Sequence, residues 1–227
     1  MTGRTIVFDL DGTLVDSAPD IINGLNVSLA LENIDPVTPL ELRSLIGGGV
    51  RLLLSRGLKL RKHEVSEPRF EELVATFLSH YELHIADETT LYPDVIAVLD
   101  RLAADGNRLA ICTNKPIKLT HLLLDALNIR DRFAAVTGAD TFPVRKPDAA
   151  HLTGTIELAK GNPANAIMIG DSKTDLDTAR NAGLPIVLMD YGYTEIPASE
   201  LGPDRLLSNF RDVPGAIDDL LGAAVSR

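Results

Sequence analysis

Residues 5–14, Thr-Ile-Val-Phe-Asp-Leu-Asp-Gly-Thr-Leu, constrain the chain more than any other stretch. Residues 5–10 are mostly apolar and rich in β-favouring residues, so they read as a short buried strand. Two carboxylates, Asp9 and Asp11, stand where that strand gives out, and a Gly-Thr turn follows at once. In an open α/β sheet, ligands bind just beyond the carboxyl ends of the strands. Alternation along a strand puts Asp9 and Asp11 on one side and Leu10 on the other. Two anions that close repel each other, which calls for a cation, a shared proton or both. The competing reading is an Asp-Gly turn that closes a hairpin.

The texture then changes. Asp16 or Ser17 caps a helix with Pro19 in its first turn, and Ile21, Ile22, Leu25 and Leu29 recur at helical spacing. Thr38-Pro39-Leu40-Glu41 is a capping box that opens a helix through Ile46. The run Gly47-Gly48-Gly49 ends it, and a short helix follows over residues 50–56. Pro68 opens a longer one, with Phe70, Leu73, Val74, Phe77, Leu78 and Tyr81 on one face. Residues 16–86 therefore form a separate helical unit with no convincing strand.

From Leu91 helices and short strands alternate. Helices are expected at 93–104, 117–127, 148–159, 174–182 and 213–221, and strands at 108–112, 134–137, 166–169, 186–189 and, weakly, 205–207. Strand–helix alternation implies parallel βαβ units. The expected fold is α/β, a doubly wound, Rossmann-like parallel sheet built from residues 1–15 and 87–227, with residues 16–86 inserted after the first strand.

Composition narrows the partners. The 227 residues are 45% hydrophobic and 24% charged, with a formal charge of −10. That balance argues against nucleic acid, which needs Lys and Arg surfaces, but not against a small phosphorylated metabolite held by local cations. The single cysteine, Cys112, excludes an internal disulfide and fits a reducing compartment. With no leader pattern and no apolar run of membrane length, the expectation is a cytoplasmic protein without membrane contact; monomer and homodimer both stay open.

Parallel strands would bring four polar strand ends to one edge: Asp9 and Asp11, then Thr113-Asn114-Lys115, then Arg145-Lys146-Pro147, then Gly170-Asp171-Ser172 with Asp175 beyond. These groups suit phosphate-ester hydrolysis. A carboxylate can attack phosphorus and form an aspartyl-phosphate that water later cleaves. Both partners are anionic, so Mg²⁺ held by few carboxylates suits the site. Thr113 and backbone N–H groups can hold phosphoryl oxygens while Lys146 supplies fixed positive charge. Asp11 can protonate the leaving alkoxide and then deprotonate water.

The four motifs, in this order, resemble those of the haloacid dehalogenase (HAD) superfamily phosphatases. The resemblance implies that Asp9 is nucleophile and metal ligand, and that Asp11 is acid/base and binds Mg²⁺ through its backbone carbonyl. It also implies that Thr113 and Asn114 bind phosphoryl and that Lys146 bridges nucleophile and substrate. Asp171 would be a direct metal ligand, with Asp175 a supporting carboxylate behind it, and the inserted helices would match the family's mobile cap. Residues 9–17, 46–49, 113–116, 145–147 and 190–193 look like the phosphoglycolate phosphatase branch, which implies 2-phosphoglycolate as substrate. Pyrophosphate, a sugar phosphate and phosphoglucomutase-like isomerisation stay open as alternatives. A phospho-accepting receiver domain, which has no helical insertion, is the rival from another class.

Several residues have simpler readings. Cys112 fits a buried strand cysteine. His80 and His84, one helical turn apart, lack an evident third metal ligand and read as surface histidines. Arg51, just after the glycine run, is the candidate grip on the substrate carboxylate, since a guanidinium matches a carboxylate well. A solvated arginine at a helix start is the alternative.

Overall fold

The computed structural model describes residues 3–42, 45–46, 48–194 and 196–222. In chain order its strands are β1 (Thr5–Phe8), β2 (Val15–Asp16), β3 (Thr90–Leu91), β4 (Arg108–Cys112), β5 (Ala135–Thr137), β6 (Ala166–Gly170), β7 (Ile186–Met189) and β8 (Arg205–Leu207). The helices are α1 (Ala18–Ala30), α2 (Pro39–Leu42), α3 (Val50–Leu60), α4 (Glu67–Leu83), α5 (Val95–Ala104), α6 (Ile117–Ala126), α7 (Ala149–Leu158), α8 (Lys173–Asn181) and α9 (Val213–Leu221). Arg43, Ser44 and Gly47 lie outside the described residues, so the expected helix through Ile46 is described only as α2.

Six strands form one parallel sheet in the order β5-β4-β1-β6-β7-β8. This is the doubly wound arrangement that the alternation predicted. β1 lies in the middle, with Phe8 level with Ile111 of β4 and Ile169 of β6. The chain therefore winds to either side of β1, and the strand ends around Asp9 form the switch point where such sheets bind ligands.

Alternation along the strands builds two cores. Ile6 and Phe8 of β1 face the side covered by α5, α6 and α9, where Leu99, Leu123 and Ile217 are buried. Val7 faces the opposite side with Met168, Leu188 and the α7 residues Leu152 and Ile156. Burying a large aliphatic side chain contributes about 1.5–3 kcal/mol, so both faces must be covered for such a sheet to stand.

Between β2 and β3 run α1 to α4. Buried Leu25 and Leu29 of α1 join Leu73 and Phe77 of α4 and Leu53, Leu54 and Leu58 of α3 in the same apolar cluster. α3 continues through Gly57 to Leu60, past the expected end near residue 56, burying Leu58 in the cluster and bringing its backbone at Gly57 close to Leu25. A Cβ there would stand 3.2 Å from Leu25 Cδ1. The capping box at α2 forms as expected, with Thr38 N donating to Glu41 Oε2 at 2.8 Å.

β2 and β3 pair antiparallel, Val15 with Leu91 and Asp16 with Thr90. This ladder was not expected, since two residues carry no periodicity and the partners lie far apart in sequence. Asp20, fully buried at the start of α1, braces the same crossing by accepting from Glu88 N, Thr89 N and Thr89 Oγ1.

Candidate active site

Register decides what meets beyond the sheet. Phe8 is level with Ile111 and Ile169, so Asp9 comes level with Cys112 and Gly170, and the next residues of each strand turn into one cavity. Asp9, Asp11, Thr113, Asn114, Lys146 and Asp171 all line it. The strand ends one residue before Asp9, whose N–H still donates to Ile169 O at 2.9 Å.

Lys146 Nζ is buried between two carboxylates, 2.6 Å from Asp175 Oδ1 and 2.9 Å from Asp9 Oδ1. It donates to Asp175; Asp9 Oδ1 is buried yet accepts no directed hydrogen bond. Burial lifts the Asp9 carboxyl to about 6, against the pull of Lys146 and with Asp175 adding to the rise. Burial and the charges of Asp175 and Asp9 also hold Asp171 well above the usual carboxylate range.

Asp171 is aimed by its neighbours. Thr13 Oγ1 donates to Oδ1 at 2.8 Å, and Tyr193 N donates to Oδ2 at 2.7 Å. The loop carrying Tyr193 comes close because Gly192 has no side chain; a Cβ there would stand 2.3 Å from Asp171 Oδ2. Asp175 is fully buried and its Oδ2 accepts from Asp171 N, Ser172 N and Ser172 Oγ, the last at 2.7 Å.

Asp9, Asp171 and Asp175 each offer a carboxylate oxygen, all within 4.8 Å of one another. When ionised, the three face one ammonium, Lys146, leaving excess negative charge in a buried place. A divalent cation fits that imbalance. Oxygen donors of this kind suit a hard cation.

Asp11 turns its side chain away from this cluster. Ser17 Oγ donates to its Oδ1 at 2.6 Å, and Lys115 Nζ lies 2.9 Å from Oδ1 and 3.2 Å from Oδ2. Ser17 holds the N-cap position of α1 but gives its hydroxyl to Asp11, while Asp16 Oδ1 accepts from Tyr193 OH at 2.5 Å and more distantly from Ala18 N.

Thr113 is buried at the end of β4, with its N–H bonded to Thr137 O. Asn114 Nδ2 donates to Lys146 O at 3.0 Å, so its donor end supports the Lys146 loop rather than pointing wholly into the cavity. Gly48 and Gly49 line the cavity with φ of +79° and +91°; Gly47 lies outside the described residues.

Arg51 does not join these groups. Its side chain is exposed on α3, lies 2.5 Å from Glu71 Oε1 and 3.2 Å from Glu67 Oε1, and stacks 5.1 Å from the Phe70 ring centre. The solvated reading holds for this arginine, because its helix position turns it towards α4 acids instead of the cavity. Cys112 is buried and its thiol is pushed up to about 11, chiefly by burial, as befits an inert strand residue. His80 and His84 stack on each other and His84 Nδ1 meets Asp87 at 2.7 Å.

Four contributors were missed in the sequence. Lys115 was visible inside the 113–116 run and Tyr193 inside 190–193, but neither position stated a partner. Ser17 looked like a cap and Tyr81 like core. Tyr81 is buried, and its hydroxyl accepts from Lys115 Nζ at 2.6 Å.

The chain is similar to known proteins over nearly its whole length. The family model for haloacid dehalogenase-like hydrolases matches residues 6–189. The phosphoglycolate phosphatase of Caulobacter vibrioides is 43% identical over 97% of this chain and 93% of its own length. That of Agrobacterium fabrum is 41% identical over the full length of both. A crystal structure of a predicted phosphoglycolate phosphatase from Haemophilus somnus superposes with a TM-score of 0.89 at 30% identity, covering 95% of this chain and 98% of that one.

Proposed function

The chain belongs to the haloacid dehalogenase-like hydrolases, and from that premise we propose that it hydrolyses 2-phosphoglycolate to glycolate and phosphate through an aspartyl-phosphate on Asp9. One observation carries the reading: Asp9, at the end of the central strand, sits in one carboxylate cluster with Asp171 and has its buried Oδ1 2.9 Å from the Lys146 ammonium. The phosphoglycolate phosphatases at 41% and 43% identity support the choice of substrate.

In this reading a carboxylate oxygen of Asp9 attacks phosphorus as the ester oxygen leaves. Lys146, fixed by Asp175, offsets charge between nucleophile and phosphoryl group, and Thr113 lies at the phosphoryl end. Asp11 gives its proton to the leaving glycolate, then takes one from the water that attacks phosphorus and frees Asp9. Asp9, Asp171 and the Asp11 carbonyl would hold Mg²⁺, with Asp175 behind them. Bound there, Mg²⁺ supplies the positive charge that lets an anion approach an anion.

Residues 16–86 serve in this reading as a cap, since their helices form the far wall with Ile21, Val50, Leu53, Phe77 and Leu78. That wall is apolar, and a sugar's hydroxyls would meet it without partners, which favours a small ester over a sugar phosphate. Among the described residues no helix is long and apolar enough to cross a membrane. The enzyme acts on a small metabolite, as a monomer or homodimer, without nucleic acid.

A screen of purified protein against phosphate esters with Mg²⁺, scored by kcat/KM, tests the assignment. The expected result is 2-phosphoglycolate at the head of the series. Faster turnover of pyrophosphate or a sugar phosphate would replace the substrate and keep the chemistry.

A further inference from the structure

Lys115 has no part in the chemistry above, yet it is buried at the edge of the cavity. Its side chain is 5% exposed, with the ammonium against Asp11 and the Tyr81 hydroxyl and 4.6 Å from the centre of the Tyr81 ring. Among the described residues lining the cavity the cations are Lys115 and Lys146. Lys146 is held between Asp9 and Asp175 at the phosphoryl end. The cap-side wall is aliphatic and aromatic. Among the described residues lining the cavity, a second anion on the substrate therefore has Lys115 to meet.

We infer that Lys115 is the residue that recognises the carboxylate of the substrate, with Asp11 as its partner while the site is empty and Tyr81 tying its position to α4. The inference rests on the phosphoglycolate reading and assigns its specificity. In 2-phosphoglycolate the carboxyl carbon is two bonds from the ester oxygen. Asp11 must reach that oxygen to protonate it, and Lys115 touches both oxygens of Asp11. A tail this short brings the carboxylate beside Lys115, whereas Arg51 lies outside the cavity, paired with Glu67 and Glu71. An ammonium carries three donors, enough for a carboxylate and the Tyr81 hydroxyl together. Recognition then depends on the cap, because Tyr81 belongs to α4.

The test compares wild type and Lys115→Met on 2-phosphoglycolate and on ethyl phosphate, which has a neutral tail of similar length. Loss of a charge-assisted bond predicts a fall in kcat/KM about tenfold to a hundredfold greater on 2-phosphoglycolate than on ethyl phosphate, mostly in KM. Wild type should also bind 3-phosphonopropionate at least tenfold more tightly than propylphosphonate, measured by inhibition; this needs no variant to fold. A wild type that prefers 2-phosphoglycolate, paired with equal losses on both esters in the variant, overturns the role of Lys115 and leaves the substrate reading intact. Equal inhibition by the two phosphonates overturns it as well. A wild type with no preference for 2-phosphoglycolate over ethyl phosphate removes the substrate reading and this inference with it.

Discussion

Lys146 Nζ lies 2.6 Å from Asp175 Oδ1, with both side chains almost wholly shielded from solvent. The other oxygen of Asp175 closes the capping box of α8 through Ser172. The ammonium beside Asp9 is thus set by the first turn of a helix, before any substrate arrives, which is the arrangement electrostatic catalysis requires.

Asp175→Asn should therefore lower stability and turnover together. The variant loses the charge-assisted bond from Lys146, which keeps Asp9 as its remaining partner, at a cost of about 1.5–3 kcal/mol. Urea denaturation with an unchanged midpoint would show that the pair is not structural.

Asp9→Asn should leave the circular dichroism spectrum native and reduce turnover to below about a thousandth of wild type, the scale of loss for a removed catalytic group. An amide is a poor nucleophile and a weaker metal ligand. Retained turnover in the folded variant would exclude Asp9 as the attacking group.

Asp11→Asn should slow alkyl esters far more than aryl phosphates, whose leaving groups need no proton. Rapid-quench measurement of phosphoenzyme formation on both classes checks this. Equal slowing would count against general-acid duty.

Mg²⁺ should activate and Ca²⁺ should inhibit. Ca²⁺ takes more oxygen ligands than Mg²⁺ and would draw both oxygens of Asp9 into coordination, leaving none for attack. Full rates in Ca²⁺ or in chelator alone would remove the metal from the reaction.

His151 predicts an acid limit on stability. It is fully buried, and its Nδ1 accepts from Lys146 N at 3.1 Å. Burial, reinforced by the Lys146 charge, lowers its pKa from 6.5 to about 4. The unfolded chain takes up this proton below 6.5 and the folded one does not, so the contribution is complete above 6.5 and is lost as pH falls towards 4. The loss should be about 2–3 kcal/mol. His151→Gln lacks it, so the Tm gap between wild type and variant should narrow by roughly 5 °C or more between pH 7 and 4. A constant gap would rule out His151 as the source.

The parts of this molecule written locally were legible. The strand ends at Asp9, Thr113 and Asp171 follow from apolar runs closed by polar residues, and parallel winding brings them together. What escaped is written in pairs distant along the chain. Lys115 meets Tyr81 across α4, Tyr193 meets Asp16 and Asp171, and β2 meets β3; no periodicity marks any of these. Arg51 shows the opposite error. Proximity to the glycine run suggested the cavity, but one helical step at Val50 sets its direction, and two α4 acids hold it outside.

The β2–β3 ladder lets the chain leave for α1 and return from α4 at adjacent points, two residues wide. A short turn from Val15 to Leu91 would bridge that gap without touching any strand of the main sheet. A change in the length of the segment between the two strands would therefore leave Asp9, Lys115, Lys146 and Asp171 where the sheet puts them, provided that Ser17 stays to hold Asp11.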